Sequence, residues 1–122
     1  MFWERVLEVD LLNNCFLIVS TGEKDVLTKL CFMYAFNAKK RGWMDNVRFI
    51  LWGPAQSLVL LDKEVREGLE TLFEGEVEVL ACKACSDSYG ITNDLEELGV
   101  KVVYVGEMVS TMLKDGWHQL TF

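Results

Sequence analysis

The stretch Glu76–Gly90, with the sequence EVEVLACKACSDSYG, decides the fold because it joins a strand pattern to a helix pattern. The apolar run Val77–Ala81 has the β-branched content of a buried strand. The residues Cys82–Gly90 have the pattern of one or two helical turns closed by glycine. We therefore predict that a strand ends in a Cys-x-x-Cys sequence that opens a helix, and that the rest of the chain supports this turn.

The first cysteine of this turn is the candidate nucleophile. A thiol at a helix start faces unpaired backbone N–H groups and the positive end of the helix dipole, which favour its thiolate. Lys83 beside it adds a positive charge. The other interpretation is that Cys82 is a small apolar residue buried at the strand end, since free cysteine is among the most buried residue types.

The second cysteine has three possible roles. Cys85 follows Cys82 by one helical turn, close enough for thiol exchange. It is a resolving thiol, a second sulfur site, or a helix residue that faces the core. A zinc site is not favoured, because the pair supplies two ligands and no second pair follows at useful spacing. Cys15 and Cys31 lie in apolar patterns and are predicted to serve packing.

Outward from this turn, strand and helix patterns alternate along the whole chain. Further strands are predicted at Cys15–Ser20, Val47–Trp52, Val100–Val105 and Trp117–Phe122. Helices are predicted over Val26–Ala38 with an end near Gly42, and at Ala55–Leu61, Asp62–Glu74, Thr92–Gly99 and Met108–Lys114. A short helix or leading strand within Met1–Asn14 is also expected. Alternation with short connections and strongly apolar strands predicts an α/β fold, a three-layer α/β/α domain over residues 1–122 with a mainly parallel sheet of about five strands.

In open sheets of this kind, sites lie beyond the carboxyl ends of the strands. The turns Ser20–Gly22, Gly53-Pro54, Cys82–Cys85 and Gly106–Met108 all fall at that edge in the predicted arrangement. We therefore expect the cysteine turn to lie among the turns of neighbouring strands.

Composition excludes several classes of function. The chain has 122 residues, a net charge of −7 and 25% charged residues, so we expect no nucleic-acid partner, since binding a phosphate backbone needs a basic face. No apolar stretch approaches the length of a membrane span and the start lacks the pattern of a signal peptide, which predicts a cytoplasmic protein without a membrane partner. In that reducing compartment the four cysteines are expected to be thiols, metal ligands or redox groups.

Four short sequences in a fixed order resemble the DsrE-like family of small sulfur-relay proteins, also called the YchN-like or DsrE/DsrF/TusD group. They are the strand-end Cys82 with Gly90 after it, Leu95–Val100 (LEELGV), Tyr104–Gly106 (YVG), and Gly116-Trp117 before an extended tail. The resemblance extends from about Cys15 to the end of the chain.

The resemblance implies a compact α/β/α domain that assembles as a homo-oligomer, a trimer or hexamer, and needs no organic cofactor. It implies that Cys82 carries sulfur as a persulfide between donor and acceptor proteins, as in a sulfurtransferase-like relay. Cys85 is a departure from the single-cysteine pattern, and the predicted site comprises both residues. Two other functions remain open from the residues: a non-catalytic oligomeric module that binds a small ligand or a protein, and a dithiol redox protein that uses Cys82 and Cys85.

Overall fold

The computed structural model describes residues 12–122, and the element expected within Met1–Asn14 lies largely outside that range. The strands are β1 (Asn14–Val19), β2 (Asn46–Leu51), β3 (Glu78–Cys82), β4 (Lys101–Val103) and β5 (His118–Thr121). The helices are α1 (Lys24–Val26, a π-helical Leu27–Cys31, then Phe32–Lys40), α2 (Ala55–Leu61), α3 (Lys63–Glu74), α4 (Lys83–Tyr89), α5 (Thr92–Glu97) and α6 (Val105–Lys114).

The five described strands form one sheet in the order β4-β3-β2-β1-β5. Every neighbouring pair is parallel, which confirms the predicted α/β fold with three layers. Val19 pairs with Leu51, and Leu51 pairs with Ala81. The ends of β1, β2 and β3 are therefore level with one another, so the turns that follow these strands share one edge of the sheet.

The two faces of the sheet are covered unequally. Among residues 12–122, the larger buried cluster packs one sheet face against α1, α2, α3 and α5. The smaller cluster contains Phe16, Ile50, Leu80 and Cys82 on the other face. Its buried helical members come from α6, so that helix is the main cover of the face on which Cys82 lies.

The prediction for the segment before α6 was wrong in one respect. The predicted strand Val100–Val105 is shorter, because β4 ends at Val103 and α6 begins at Val105. The side chain of Val105 is 1% exposed and packs in the smaller cluster. Burial against the sheet therefore draws this residue into the helix, although its β-branched side chain favours a strand.

Glycine ends α4 as predicted. Gly90 has φ of 70° and ψ of 29°, in the left-handed region that glycine adopts without steric cost. Its backbone N–H donates to the carbonyl oxygen of Asp87 at 3.1 Å. This stop limits α4 to a short helix directly after the cysteine turn. None of the described helices is long and apolar enough to cross a bilayer.

Candidate functional site

Cys82 lies at the junction of β3 and α4. It is the last residue of the strand and the N-cap residue of the helix, with extended backbone angles of φ −70° and ψ 115°. Its side chain is 5% exposed and belongs to the smaller buried cluster. Within the described residues its thiol makes no capping hydrogen bond to the helix N–H groups. The predicted strand-to-helix position is therefore present, and the thiol is enclosed, as the interpretation of Cys82 as a buried strand-end residue expected.

Cys85 lies one turn further along α4 and packs against the same cluster as Cys82. It is half-buried, so it is the more accessible of the two thiols. Burial raises the pKa of Cys85, the backbone N–H of Gly53 opposes that shift, and the thiol of Cys82 adds to it. Trp52 also faces this thiol and acts to lower its pKa. The structure thus brings both sequence-predicted cysteines together with the turn that follows β2.

The convergence of turns at this edge follows from the sheet register. Leu51, the last residue of β2, pairs with Ala81. The residues that follow this pair, Trp52 after β2 and Cys82 at the end of β3, are therefore neighbours. A Cβ atom built on Gly22 would lie 3.7 Å from Cβ of Pro54, so the turn after β1 also meets the turn after β2. The expected meeting of the turns after β1, β2 and β3 is therefore observed, whereas Gly106–Met108, expected as a fourth turn, lies within α6.

A buried glutamine on α2 binds the backbone at the cysteine turn. Gln56 is fully buried, and its Nε2 donates to the carbonyl oxygens of Leu51 at 3.1 Å and Cys82 at 3.0 Å. Its Oε1 has no hydrogen-bond partner among the described residues. One amide therefore ties the end of β2 to the end of β3. Sequence reasoning missed this residue, although a single amide in the apolar run AQSLVLL was a usable signal.

Polar side chains fix α4 to α5. Lys83 Nζ lies 2.7 Å from Asp87 Oδ2, and Thr92 Oγ1 donates to Asp87 Oδ1 at 2.5 Å. The buried Ser86 hydroxyl lies 2.6 Å from Thr92 Oγ1 and donates to the carbonyl oxygen of Lys83 at 3.1 Å. Lys83 first, and then Thr92, lowers the pKa of Asp87. The positive charge of Lys83 is thus paired with a carboxylate of the same helix.

The other two cysteines belong to the packing of the opposite sheet face. Cys15 is 2% exposed and Cys31 is fully buried, both within the larger cluster. Burial raises the pKa of Cys15, and it raises the pKa of Cys31 to about 11. Both thiols are therefore held in their neutral form, as predicted for packing residues. Among residues 12–122, no group of three or more His, Cys, Asp or Glu side chains is arranged to hold a metal ion.

Comparisons with known proteins agree on the family and the fold. The DsrE/DsrF-like family model matches residues 16–122. A structure of the conserved protein of unknown function BT1422 from Bacteroides thetaiotaomicron is 30% identical, with a TM-score of 0.83 over 89% of this chain and 95% of that one.

The ychN protein from E. coli is 21% identical, with a TM-score of 0.66 over 89% of this chain and 99% of that one, which supports the fold alone. No match to a curated protein was found. The match of the family model over residues 16–122 agrees with the parallel α/β architecture. The chain belongs to the DsrE/DsrF-like family.

Proposed function

We propose that this protein is a sulfur-relay protein that carries sulfur as a persulfide on Cys82. The observation that carries the proposal is the position of this thiol at the end of β3, on the sheet edge where the turns meet, in a chain of the DsrE/DsrF-like family. The two remaining cysteines are neutral packing residues on the other sheet face. Cys82 and Cys85 are therefore the two thiols that are left to take part in sulfur transfer.

The loading step transfers one sulfane sulfur without net oxidation. The Cys82 thiolate attacks the outer sulfur of a donor persulfide, R–S–SH. The new S–S bond forms Cys82–S–SH, the donor S–S bond breaks, and the donor leaves as the thiolate RS⁻. An acceptor thiolate removes the outer sulfur by the same exchange in reverse. Thiolate attack of this kind needs no organic cofactor.

Because Cys82 is buried, a partner can reach its thiol only after part of its cover moves. With 5% of its surface exposed, this thiol exchanges sulfur only when the turn opens locally or a partner displaces part of its cover. Cys85 lies on the more accessible side of the pair. A donor therefore approaches from the side of α4 that bears Cys85, next to Trp52 and Gly53.

The partners that suit this chemistry are proteins that present a persulfide or a reactive thiol. We propose a sulfur donor protein and a sulfur acceptor protein, and a homo-oligomer, a trimer or hexamer, as the working form in the cytoplasm. The net charge of −7 favours basic protein surfaces as partners over nucleic acid. We propose no membrane partner for this protein.

The test is the intact mass of the protein after incubation with glutathione persulfide and removal of excess reagent. We expect Cys85→Ser, which keeps Cys82 as the single thiol of the site, to gain a sulfur atom that a dithiol removes, and Cys82→Ser to gain none at this site. Circular dichroism serves as the control that each variant is folded. Equal sulfur gain by Cys82→Ser would contradict the proposal, because the carrier would then be another thiol.

A further inference from the structure

The two thiols at the site are arranged for reaction with each other as well as with partners. Cys82 is the N-cap residue of α4, and Cys85 lies one turn later in the same helix. Both side chains pack in one apolar cluster with Leu80 and Val105, and the two thiols lie within hydrogen-bonding reach of each other. A sulfur species formed on Cys82 therefore has a second thiol beside it before any partner arrives.

The surrounding contacts hold this pair in place. Gln56 Nε2 fixes the carbonyl oxygen of Cys82 at 3.0 Å, at the start of the turn. Further along α4, Asp87 is paired with Lys83 of the same helix and accepts a hydrogen bond from Thr92, which joins the helix to α5. Backbone on both sides of the pair is thus anchored, so the two thiols stay near each other while a persulfide is present.

We propose a further activity, the release of sulfide, in which Cys85 attacks the inner sulfur of a persulfide on Cys82. This inference rests on the proposed function, because it needs a persulfide on Cys82. The Cys85 thiolate forms an S–S bond with Cys82 Sγ, the bond to the outer sulfur breaks, and that sulfur leaves as HS⁻. The sulfane sulfur gains two electrons, and the two cysteine thiols lose them as they become a disulfide.

Completion of the cycle requires an external reductant of the dithiol class. A dithiol reduces the Cys82–Cys85 disulfide to two thiols and itself becomes a disulfide. Over one cycle a donor persulfide and a dithiol yield a donor thiol, hydrogen sulfide and an oxidised dithiol. The protein then acts as a persulfide reductase, in addition to a carrier that transfers sulfur to an acceptor.

The experiment loads the protein with glutathione persulfide, removes the reagent by gel filtration, and then follows free sulfide, the thiol count and the mass. The native chain is expected to release sulfide in equal amount to the loaded sulfur and to form a disulfide that peptide mapping assigns to Cys82 and Cys85. In Cys85→Ser, the persulfide should persist at least about tenfold longer without sulfide release, since a neighbouring thiol acts at a very high effective concentration.

A matched control is available on the same helix. Ala84 is exposed and lies between the two cysteines, so Ala84→Ser adds the hydroxyl that Cys85→Ser introduces but keeps both thiols. This variant should release sulfide like the native chain. If Cys85→Ser does not fold, disulfide mapping in the loaded native chain still tests the proposal directly.

The outcomes separate this inference from the proposed function. A persulfide on Cys82 that has the same lifetime with and without Cys85, with no Cys82–Cys85 disulfide in the native chain, overturns the release step and keeps the carrier function. Failure of Cys85→Ser to load any sulfur on Cys82 overturns the proposed function itself. A disulfide that forms on loading between any other pair of cysteines also overturns the release step.

Discussion

Replacement of Gln56 by methionine tests whether the buried amide holds the cysteine turn together. Methionine keeps the length and flexibility of the side chain without its polar atoms. The substitution removes the hydrogen bonds to the carbonyl oxygens of Leu51 and Cys82, which join the ends of β2 and β3. We expect Gln56→Met to destabilise the protein and to loosen the turn around Cys82.

The magnitude follows from the contacts of this side chain. Two hydrogen bonds that each contribute about 0.5–1.5 kcal/mol are lost, a total of about 1–3 kcal/mol. Because Oε1 of Gln56 is buried without a partner among residues 12–122, its removal offsets part of that loss, on the order of 1 kcal/mol. The free energy of unfolding should therefore fall by about 1 kcal/mol, within a range of about 0–2 kcal/mol.

The assay combines urea unfolding with alkylation of Cys82 in a Cys85→Ser background. Because Cys82 is 5% exposed, its alkylation depends on local opening. If the turn itself loses about 1 kcal/mol of stability, alkylation should be about fivefold faster. Leu61→Met, at a position of α2 that is 82% exposed, is the control and should change neither quantity. A Gln56→Met protein as stable as the native chain, with unchanged alkylation of Cys82, would refute the reasoning.

Two other predictions concern stability away from the site. In Gly68→Ala the new Cβ would lie 2.5 Å from Cδ2 of Phe32, which is buried and stacks on Phe49. Thermal unfolding should show a loss of about 1–3 kcal/mol, whereas Gly106→Ala, with open space around the new atom, should be neutral or stabilising. The thiol of Cys31 has its ordinary pKa of 9.0 in the unfolded chain, and burial raises this pKa to about 11 in the folded protein. The stability that its neutral form contributes is therefore intact below pH 9.0 and is lost as pH rises towards 11. Urea unfolding across that range should show a decrease of about 2–3 kcal/mol from this group, and a Cys31→Ala variant with the same decrease would contradict the assignment.

The fold was predictable because its strands are marked by patterns that burial imposes. Runs such as Cys15–Ser20 and Val47–Trp52 are apolar on both faces, which is the signature of a parallel sheet between helical layers. The boundary at Val105 was not predictable, since the same β-branched residue satisfies a strand pattern and the buried face of α6. The π-helical turn Leu27–Cys31 also has no distinct sequence signal, because its residues fit an ordinary helical stripe.

The position of the candidate site could be predicted from the sequence, but the residues that surround it could be predicted only in part. The strand-to-helix turn at Cys82 follows from local sequence, because the strand pattern stops where the helix pattern starts. The burial of its thiol and the contacts of Gln56 arise from residues distant in sequence, brought together by the register of β2 and β3. Likewise the ion pair between Lys83 and Asp87 depends on the side-chain positions within α4, which sequence spacing alone does not fix.

The most direct test of persulfide transport by Cys82 is to locate the loaded sulfur atom along the chain. The Cys85→Ser protein would be loaded with glutathione persulfide, trapped by alkylation while folded, and cut into peptides for tandem mass spectrometry. We predict the additional sulfur on the peptide that contains Cys82, and unmodified thiols at Cys15 and Cys31. Sulfur found on Cys15 or Cys31, with Cys82 unloaded, would contradict the proposal that the strand-end thiol is the carrier.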